Sequence, residues 1–241
     1  MLGDREDAFG RMLLEALEGR RVVEIVERDD GYIDASATQL LYLSPFRRWP
    51  AHHRRAMRLV RGRVLDVGAG AGRVALHLQT RGHDVVSIDV SPGAVEVCRR
   101  RGVRDARVCA IEDVNESLGR FDTIVLLGNN FGLFGSRSKA KRLLRRFHGL
   151  TSERGRILAE TRDIYATDDP GHLAYQERNR SRGRMSGQIR LRIRHGLAAT
   201  PWFDYLMVSR AELEELVEGT GWKLARTIDS DDIYVAVLEK A

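Results

Sequence analysis

The sequence predicts an α/β fold in which helices cover both faces of a mostly parallel, seven-stranded sheet. The first observation is that short apolar runs alternate with helical segments between residues 62 and 161. The second is a pair of apolar runs close to the C-terminus, WKLARTI and DIYVAVLEK, which are separated by a segment long enough for one turn. This pair predicts an antiparallel C-terminal hairpin. Strands that alternate with helices favour a parallel sheet, because each helix returns the chain to the edge where the next strand starts.

The core over 62–161 contains five predicted strands, each short and rich in apolar residues. They are RVLDV (63–67), DVVSIDV (84–90), ARVCAI (106–111), FDTIVLLG (121–128) and GRILAET (155–161). The helices between them are predicted over 72–81, 91–102 and 136–149. Ser91 is a suitable N-cap for the second of these helices, and Gly102 ends it.

Residues 1–61 are predicted to form an N-terminal helical cap. Apolar residues at helical spacing indicate a helix over 4–19, and DDGYID at 29–34 is typical of a turn. A second helix is expected over 50–61, after the chain break that SPFRRWP indicates.

Residues 162–208 interrupt the alternation, and we predict that they form a lid inserted into the core. The segment is polar and rich in arginine until QIRLRIRHG, which alternates strictly. Its arginines are typical of a solvated strand face. Residues 209–241 complete the core with a helix capped by Ser209 and the hairpin formed by WKLARTI and DIYVAVLEK.

Composition excludes several classes of protein. The 241 residues are 43% hydrophobic and 31% charged, which is typical of a globular domain. No apolar run approaches the roughly 18 residues of a membrane span, and MLGDREDAFG lacks the apolar core of a signal peptide. Cys98 and Cys109 are the two cysteines, so we expect no disulfide framework and a cytoplasmic location.

The net charge of +6 does not by itself predict a nucleic-acid partner. Only four of the 40 basic residues are lysines, and the arginines are scattered along the chain. Solvated helix faces account for the runs CRRRG (98–102) and KRLLRRF (141–147). Nucleic acid is therefore not an expected partner.

The stretch DVGAGAGR carries the most specific signal in the sequence. A dinucleotide-binding loop needs G-x-G-x-x-G, but its third glycine position here is Arg73. Asp66 lies two residues before the first glycine, and a carboxylate there suits a positively charged ligand better than a diphosphate. The stretch closely resembles the first motif of the class I S-adenosylmethionine-dependent methyltransferases, which have a Rossmann-like fold. The resemblance continues through most of residues 62–161.

This resemblance implies a set of contacts with S-adenosyl-L-methionine. Asp66 would hold the ammonium end, and the loop backbone of Gly68, Ala69, Gly70 and Gly72 would lie against the methionine portion. Asp89 would accept both ribose hydroxyls, because a carboxylate offers two oxygens to a vicinal diol.

Further contacts that the resemblance implies surround the adenine and the methyl group. Val90 would flank the adenine and Ile111 would stack on it. The family's usual aspartate after the third strand is Ala110 here, and either Glu112 or Asp113 would replace it.

The loop GNNF follows the fourth predicted strand. Gly128 and Asn129 would lie near the methionine portion, and Asn130 or Phe131 near the methyl group. A turn without any ligand contact would explain Asn129 and Asn130 equally well.

The sequence identifies no catalytic side chain and no metal site. A sulfonium methyl group is already electrophilic, so alignment and exclusion of water can supply much of the rate. Asp163, Asp168 and Asp169 are explained as solvated turn residues.

A small molecule is the expected methyl acceptor, since the loop after the fourth strand lacks the Asn/Asp-Pro-Pro-aromatic motif of base-amine methyltransferases. Two alternatives stay open at this point: an RNA or protein methyltransferase, and a non-catalytic cofactor-binding subunit. The sequence does not predict an oligomeric state. The residues predicted to line the acceptor site are Tyr32, Asn130, Arg162, Tyr165, Tyr175 and Tyr205.

Overall fold

A computed structural model of the chain describes residues 2–36 and 39–241. The predicted cap over 1–61 includes residues 1, 37 and 38, which lie outside the described residues.

The described residues include eight α-helices, which begin near the N-terminus and continue between the strands. They are α1 (Ala8–Leu17), α2 (Gln39–Tyr42), α3 (Ala51–Met57), α4 (Arg73–Gln79), α5 (Pro92–Arg100), α6 (Arg137–Gly149), α7 (Pro170–Ser181) and α8 (Arg210–Val217). Short 3-10 turns connect several of the other elements.

The strands fall into two sheets. They are β1 (Glu24–Arg28), β2 (Ile33–Ser36), β3 (Val64–Val67), β4 (Val85–Asp89), β5 (Ala106–Val108), β6 (Phe121–Leu126), β7 (Thr151–Arg162), β8 (Gln188–His195), β9 (Ala198–Ala199), β10 (Phe203–Leu206), β11 (Trp222–Ser230) and β12 (Ile233–Lys240).

The larger sheet has seven strands in the order β11-β12-β7-β6-β3-β4-β5. β3 pairs with β4, β4 with β5 and β6 with β7 in parallel, whereas β12 is antiparallel to both of its neighbours. Every residue of β3 and β4 is buried, as expected for parallel strands covered on both faces. The predicted α/β fold and its C-terminal hairpin are confirmed.

The smaller sheet has the order β10-β8-β1-β2, with β9 beside β8. Its β1–β2 hairpin was not predicted, because only the turn at 29–34 has a clear sequence signal. Arg28 orders that turn by donating two hydrogen bonds of 2.8 Å to the Asp30 carboxylate. The strands on either side alternate weakly, and β1 is only partly buried.

Helix α1 begins at Ala8, four residues later than predicted. Asp7 is its N-cap, and the carboxylate of Asp7 accepts a hydrogen bond of 3.0 Å from the N–H of Gly10. A capping aspartate ends the preceding turn and satisfies an N–H group that has no partner within the helix.

The described residues form two compact units. The first contains 2–36 and 39–50, 61–114 and 191–202, and therefore holds strands β3 to β5 with the glycine-rich loop. The second contains 51–60, 115–190 and 203–241, and holds β6, β7, β11 and β12.

Candidate functional site

The loop between β3 and α4 turns through three glycines that have positive φ. Gly68, Gly70 and Gly72 have φ of 70°, 54° and 74°. At Gly72, the N-cap of α4, a Cβ would lie 2.6 Å from Val103 Cγ2 and 3.0 Å from Cys98 Sγ. Positive φ is unfavourable for a residue with a side chain, and here the packing excludes the side chain as well. Backbone shape and close packing thus explain the glycine at 72.

This loop is anchored on the neighbouring strand β4. The N–H groups of Gly68 and Ala69 donate to the C=O of Ile88, over 2.9 and 3.0 Å. The N–H of Gly70 donates to Asp89 Oδ2 over 2.9 Å. The structure therefore brings together the two motifs, the glycine loop and Asp89, that the sequence separates by about twenty residues.

Asp66 lies in β3 directly before the loop, and its side chain is almost completely buried. The residue is 2% exposed, and its Oδ2 has no hydrogen-bond partner among the described atoms. The pKa of Asp66 is raised to about 7, mainly by burial; the Arg73 guanidinium lowers it in part, and the nearby Asp89 carboxylate contributes to the rise. A buried acceptor without a partner is costly, and a cation bound beside Asp66 would offset that cost.

Asp89 ends β4 and is also buried. Its Oδ1 accepts a hydrogen bond of 2.9 Å from the N–H of Ser91, and Oδ2 accepts the one from Gly70. Burial raises the pKa of Asp89 to about 6, against the effect of these hydrogen bonds. The next residue, Val90, is 46% exposed, so its apolar side chain is accessible.

Ile111 and Glu112 begin the 3-10 turn Ile111–Asp113, which follows β5. Ile111 is buried, whereas Glu112 and Asp113 are exposed.

The sequence analysis did not identify Asp7, which joins α1 to the start of α5. Asp7 Oδ1 accepts a hydrogen bond of 2.6 Å from the Ser91 hydroxyl, and Oδ2 accepts one of 2.7 Å from the N–H of Gly93. A Cβ on Gly93 would lie 2.7 Å from the Cα of Gly10, so the two helices approach closely. The only local signal for Asp7 is its position before a helix-forming run.

In the second unit, Gly128 and Asn129 form a turn after β6 with φ of 80° and 61°. The N–H of Gly128 donates to Glu160 Oε2, and the C=O of Asn129 accepts a hydrogen bond of 2.6 Å from the Tyr205 hydroxyl. The side-chain Oδ1 of Asn129 is buried and has no partner among the described atoms. Asn130 begins the 3-10 turn that follows.

Tyr205 and the turn pack tightly against one another. A Cβ at Gly132 would overlap the Tyr205 ring, so a larger residue at this position would force the ring to move. Two predicted site residues, Asn129 and Tyr205, are thus in direct contact.

Glu160, in β7, is the centre of a buried polar cluster that the sequence did not reveal. Glu160 Oε2 lies 2.7 Å from His53 Nε2, and Oε1 lies 3.4 Å from His52 Nε2. Burial alone would raise the pKa of Glu160, but hydrogen bonds from His52, His53 and Gly128 lower it well below its ordinary value. No sequence spacing indicates this cluster, because the histidines lie more than 100 residues away in the chain.

Three residues predicted to line the acceptor site have partners within the second unit. Arg162 Nε lies 3.0 Å from Asp232 Oδ2. The Tyr165 hydroxyl donates to Glu212 Oε1 over 3.0 Å and lies 3.1 Å from Ser186 Oγ. Tyr175 is buried, and its hydroxyl accepts a hydrogen bond of 3.0 Å from the N–H of Arg190.

Tyr32 belongs to the first unit and lies in the turn before β2. Its ring is partly exposed, and the Arg28 guanidinium lies 4.8 Å from the ring centroid.

Comparison with known proteins agrees with this geometry. Residues 64–155 match a family model described as a methyltransferase domain. The chain is also similar to an S-adenosylmethionine-dependent methyltransferase from Bacteroides fragilis, solved in complex with S-adenosyl-L-homocysteine. The two are 27% identical with a TM-score of 0.84, over 100% of this chain and 98% of that one.

Shorter similarities connect the chain to curated enzymes. It is 36% identical over 75 residues to a ubiquinone biosynthesis O-methyltransferase from Xanthomonas oryzae pv. oryzae, covering 29% of this chain and 31% of the relative. It is 33% identical over 69 residues to a magnesium-protoporphyrin O-methyltransferase from Rhodobacter capsulatus, covering 27% and 31%. These matches span about a third of the length of either relative.

The fold and the loop between Asp66 and Asp89 define a cofactor-binding α/β domain of the methyltransferase type. Residues 64–155 match a methyltransferase domain, and over its full length the chain is similar to an S-adenosylmethionine-dependent methyltransferase. The resemblance drawn from residues 62–161 is thereby confirmed.

Within the described part of the chain, every helix is too short or too polar to cross a membrane.

Proposed function

We propose that this protein transfers the methyl group of S-adenosyl-L-methionine to a small-molecule acceptor. The observation that carries the proposal is the buried carboxylate of Asp66, which has one unpartnered oxygen beside a glycine loop tied to Asp89. An ammonium group would supply the missing partner for Asp66. The names of the relatives support the acceptor class, because ubiquinone precursors and magnesium protoporphyrin are small molecules.

The residues of the first unit fit the adenosine and ammonium portions of this cofactor. Asp66 would pair with the ammonium group, and the backbone of Gly68–Gly72, Ala69 included, would contact the methionine portion. Both oxygens of Asp89 already accept backbone N–H groups, and each has a further lone pair for a ribose hydroxyl. Val90 and Ile111 would contact the adenine, with Glu112 as the proposed partner of its amine.

Gly128 and Asn129 of the second unit stay predicted cofactor contacts. The unpartnered Oδ1 of Asn129 supports this role, because a buried amide oxygen needs a donor from a ligand or from water. The turn has little freedom to adapt, because Glu160 binds its first residue and Tyr205 its second.

The bound cofactor would supply a sulfonium methyl group that needs no further activation. The chain would bind the cofactor, orient the acceptor and exclude water, which can lower the barrier by several kcal/mol, on the order of 7–11 in the most favourable cases. A side-chain base is needed only for an acceptor whose proton is held tightly at neutral pH.

For the acceptor, Asn130 and Tyr205 are the best supported of the predicted residues, because Tyr205 contacts the turn that Asn129 and Asn130 begin. Arg162, Tyr165, Tyr175 and Tyr32 stay predictions. The division into a cap (1–61), a core (62–161), a lid (162–208) and a completing segment (209–241) is likewise proposed.

We also propose a cytoplasmic location. Its support is that both cysteines are free and that Cys98 is buried. Unpaired cysteines are typical of a reducing compartment.

Transfer of label from S-adenosyl-L-methionine tests the function. The purified chain is incubated with methyl-labelled cofactor and a metabolite extract, and label is followed into small molecules, RNA and protein. We expect label in a small molecule with wild type and none with Asp89→Ala. Label in RNA or protein alone would contradict the acceptor class, and no transfer with intact cofactor binding would favour a non-catalytic subunit.

A further inference from the structure

Three metal-ligating side chains converge in the second unit, where the start of α3 meets the end of β7. His52 and His53 are adjacent in α3, and Glu160 lies two residues before β7 ends. His52 Nε2 lies 3.4 Å from Glu160 Oε1, and His53 Nε2 lies 2.7 Å from Glu160 Oε2. One ligand atom from each residue lies within 4.8 Å of the other two.

The cluster is buried and held by regular structure. His52, His53 and Glu160 are 5%, 1% and 3% exposed. All three belong to a helix or a strand, so their backbone positions are fixed more firmly than they would be in a loop. The shielding from water strengthens any interaction between these groups and a cation.

The chemistry of the donors suits a first-row transition ion. Two imidazole nitrogens and one carboxylate oxygen form the protein ligand set of several zinc enzymes and of non-haem iron sites. Ligand bonds of about 2.0–2.1 Å in a tetrahedral site separate the ligand atoms by about 3.3 Å. The His52–Glu160 distance has this value already, and the His53–Glu160 pair would open by about half an ångström.

The surroundings of Glu160 also suit a ligand. The N–H of Gly128 donates to Glu160 Oε2 and would orient the carboxylate, as hydrogen bonds from outside a metal site commonly do. Hydrogen bonding alone would require a proton on both Nε2 atoms, whereas a metal ion binds the neutral imidazole.

We propose that His52, His53 and Glu160 bind one divalent first-row transition-metal ion, for which zinc is the probe. The ion would join the start of α3 to the end of β7 and stabilise the turn at Gly128 through Glu160. This proposal departs from the sequence-based expectation of no metal. It does not depend on the proposed methyl transfer.

Calorimetric titration of the tag-free, chelator-treated full chain with zinc chloride tests the site. We expect one zinc ion per chain with a dissociation constant of about 1 µM or tighter, together with a higher midpoint of thermal unfolding. Magnesium should not bind, because it prefers oxygen ligands. Cobalt(II) should bind and give the visible absorption of a site with nitrogen ligands.

His53→Gln is the decisive variant, because glutamine can still donate a hydrogen bond to Glu160 but is a poor metal ligand. Its zinc affinity should fall by about 100-fold or more, since changes outside the ligand set alone cost 10–100-fold. His52→Gln should behave alike. His83→Ala, which replaces a histidine outside the cluster, should bind zinc as wild type does.

Circular dichroism shows whether each variant is folded. One folded glutamine variant is enough to test the metal site. The proposal is overturned if wild type binds no zinc at about 1 mM, or if each glutamine variant that folds binds as tightly as wild type. Binding of S-adenosyl-L-homocysteine without zinc would leave the methyltransferase proposal intact, so the two proposals can fail separately.

Discussion

Two buried carboxylates, Asp66 in the first unit and Glu160 in the second, are similar in burial and opposite in surroundings. Asp66 has an unpartnered oxygen, and burial raises its pKa to about 7. Glu160 is also desolvated, but two imidazoles and a backbone N–H lower its pKa below the ordinary value. Asp66 lacks a hydrogen-bond partner that a ligand can supply, whereas the hydrogen-bond partners of Glu160 all belong to its own chain.

This difference distinguishes two ways of building a polar site. At Asp66 the chain leaves one interaction unmade, so binding a cation there recovers part of the cost of burial. At Glu160 the interactions are already made, so the cluster stabilises the fold, and its donor atoms are arranged as a ligand set. The following predictions test the two sides of this comparison.

The largest effect is expected at Asp89, which completes the first site. Asp89→Ala should weaken S-adenosyl-L-homocysteine binding by at least about 100-fold, because two hydrogen bonds to a charged group contribute about 1.5–3 kcal/mol each. Calorimetric titration measures the affinity. Asp84→Ala, at an exposed residue just before β4, is the matched control and should bind as wild type does. Equal binding by wild type and Asp89→Ala would remove the ribose assignment.

The pH dependence of stability tests the unmade interaction at Asp66. In the folded state Asp66 keeps a proton that the unfolded state releases above about pH 4. The stabilisation from protonated Asp66 is therefore complete below about pH 4 and is lost as pH rises through about 7. Over that range Asp66 should reduce the free energy of unfolding by about 4 kcal/mol. Asp89, whose pKa is raised to about 6, should add a smaller loss of the same sign.

Urea unfolding of wild type and Asp66→Asn, measured between pH 4 and 8, checks this prediction. The variant should lose the part of the pH dependence that Asp66 causes and keep the part that the other titrating groups cause, Asp89 among them. Parallel curves for the two proteins would mean that Asp66 is not protonated in the folded state.

The shape of the glycine loop should have the next largest effect. Gly72→Ala should lower the free energy of unfolding by about 3 kcal/mol, because the new Cβ meets Val103 and Cys98 at positive φ. Gly82→Ala is matched in φ, at 84°, but its Cβ would enter open space. It should cost only about 1 kcal/mol, so equal losses would contradict the packing argument.

Tyr205→Phe should have the smallest effect. It removes the hydroxyl that donates to Asn129, and should cost about 1 kcal/mol in the free energy of unfolding and a few-fold in cofactor affinity. Tyr175→Phe removes a hydroxyl that accepts a hydrogen bond from the N–H of Arg190, and should cost about as much stability with unchanged cofactor affinity. Identical affinities for the two variants would count against Tyr205 and Asn129 as site residues.

The first site could be predicted from the sequence because its parts are local. Asp66 and the three glycines lie within seven residues, and Asp89 ends the next strand of the core. In a parallel sheet, adjacent strands place their carboxyl ends at one edge, so the order of motifs along the chain largely fixes their proximity.

The other contacts could not be predicted, because they join residues far apart in the chain without any motif. Asp7 binds Ser91 and Gly93 across 84 and 86 residues, and the histidines reach Glu160 across 107 and 108. The local sequence around two histidines on a helix does not show whether they face solvent or a buried carboxylate. Only tertiary packing decides between the two.

The prediction for the arginines of β8, Arg190, Arg192 and Arg194, is only partly correct. They were predicted to form a solvated strand face, and Arg190 and Arg194 are exposed. Arg192 is partly buried and donates to the Glu27 carboxylate over 2.8 and 3.0 Å. Glu27 belongs to the hairpin strand β1, which the sequence did not reveal, so its pairing could not be anticipated.

Counting the protons released when S-adenosyl-L-homocysteine binds tests the central claim about Asp66 most directly. Calorimetry at pH 6 in two buffers of different ionisation enthalpy gives this count. Asp66, with its pKa of about 7, should lose its proton when the ammonium group arrives, so Asp66 alone should contribute about one released proton. Asp66→Asn should release about one proton fewer than wild type, because only the part that Asp89 contributes, with its pKa of about 6, remains. Binding without proton release in wild type, or no binding at all, would contradict the account.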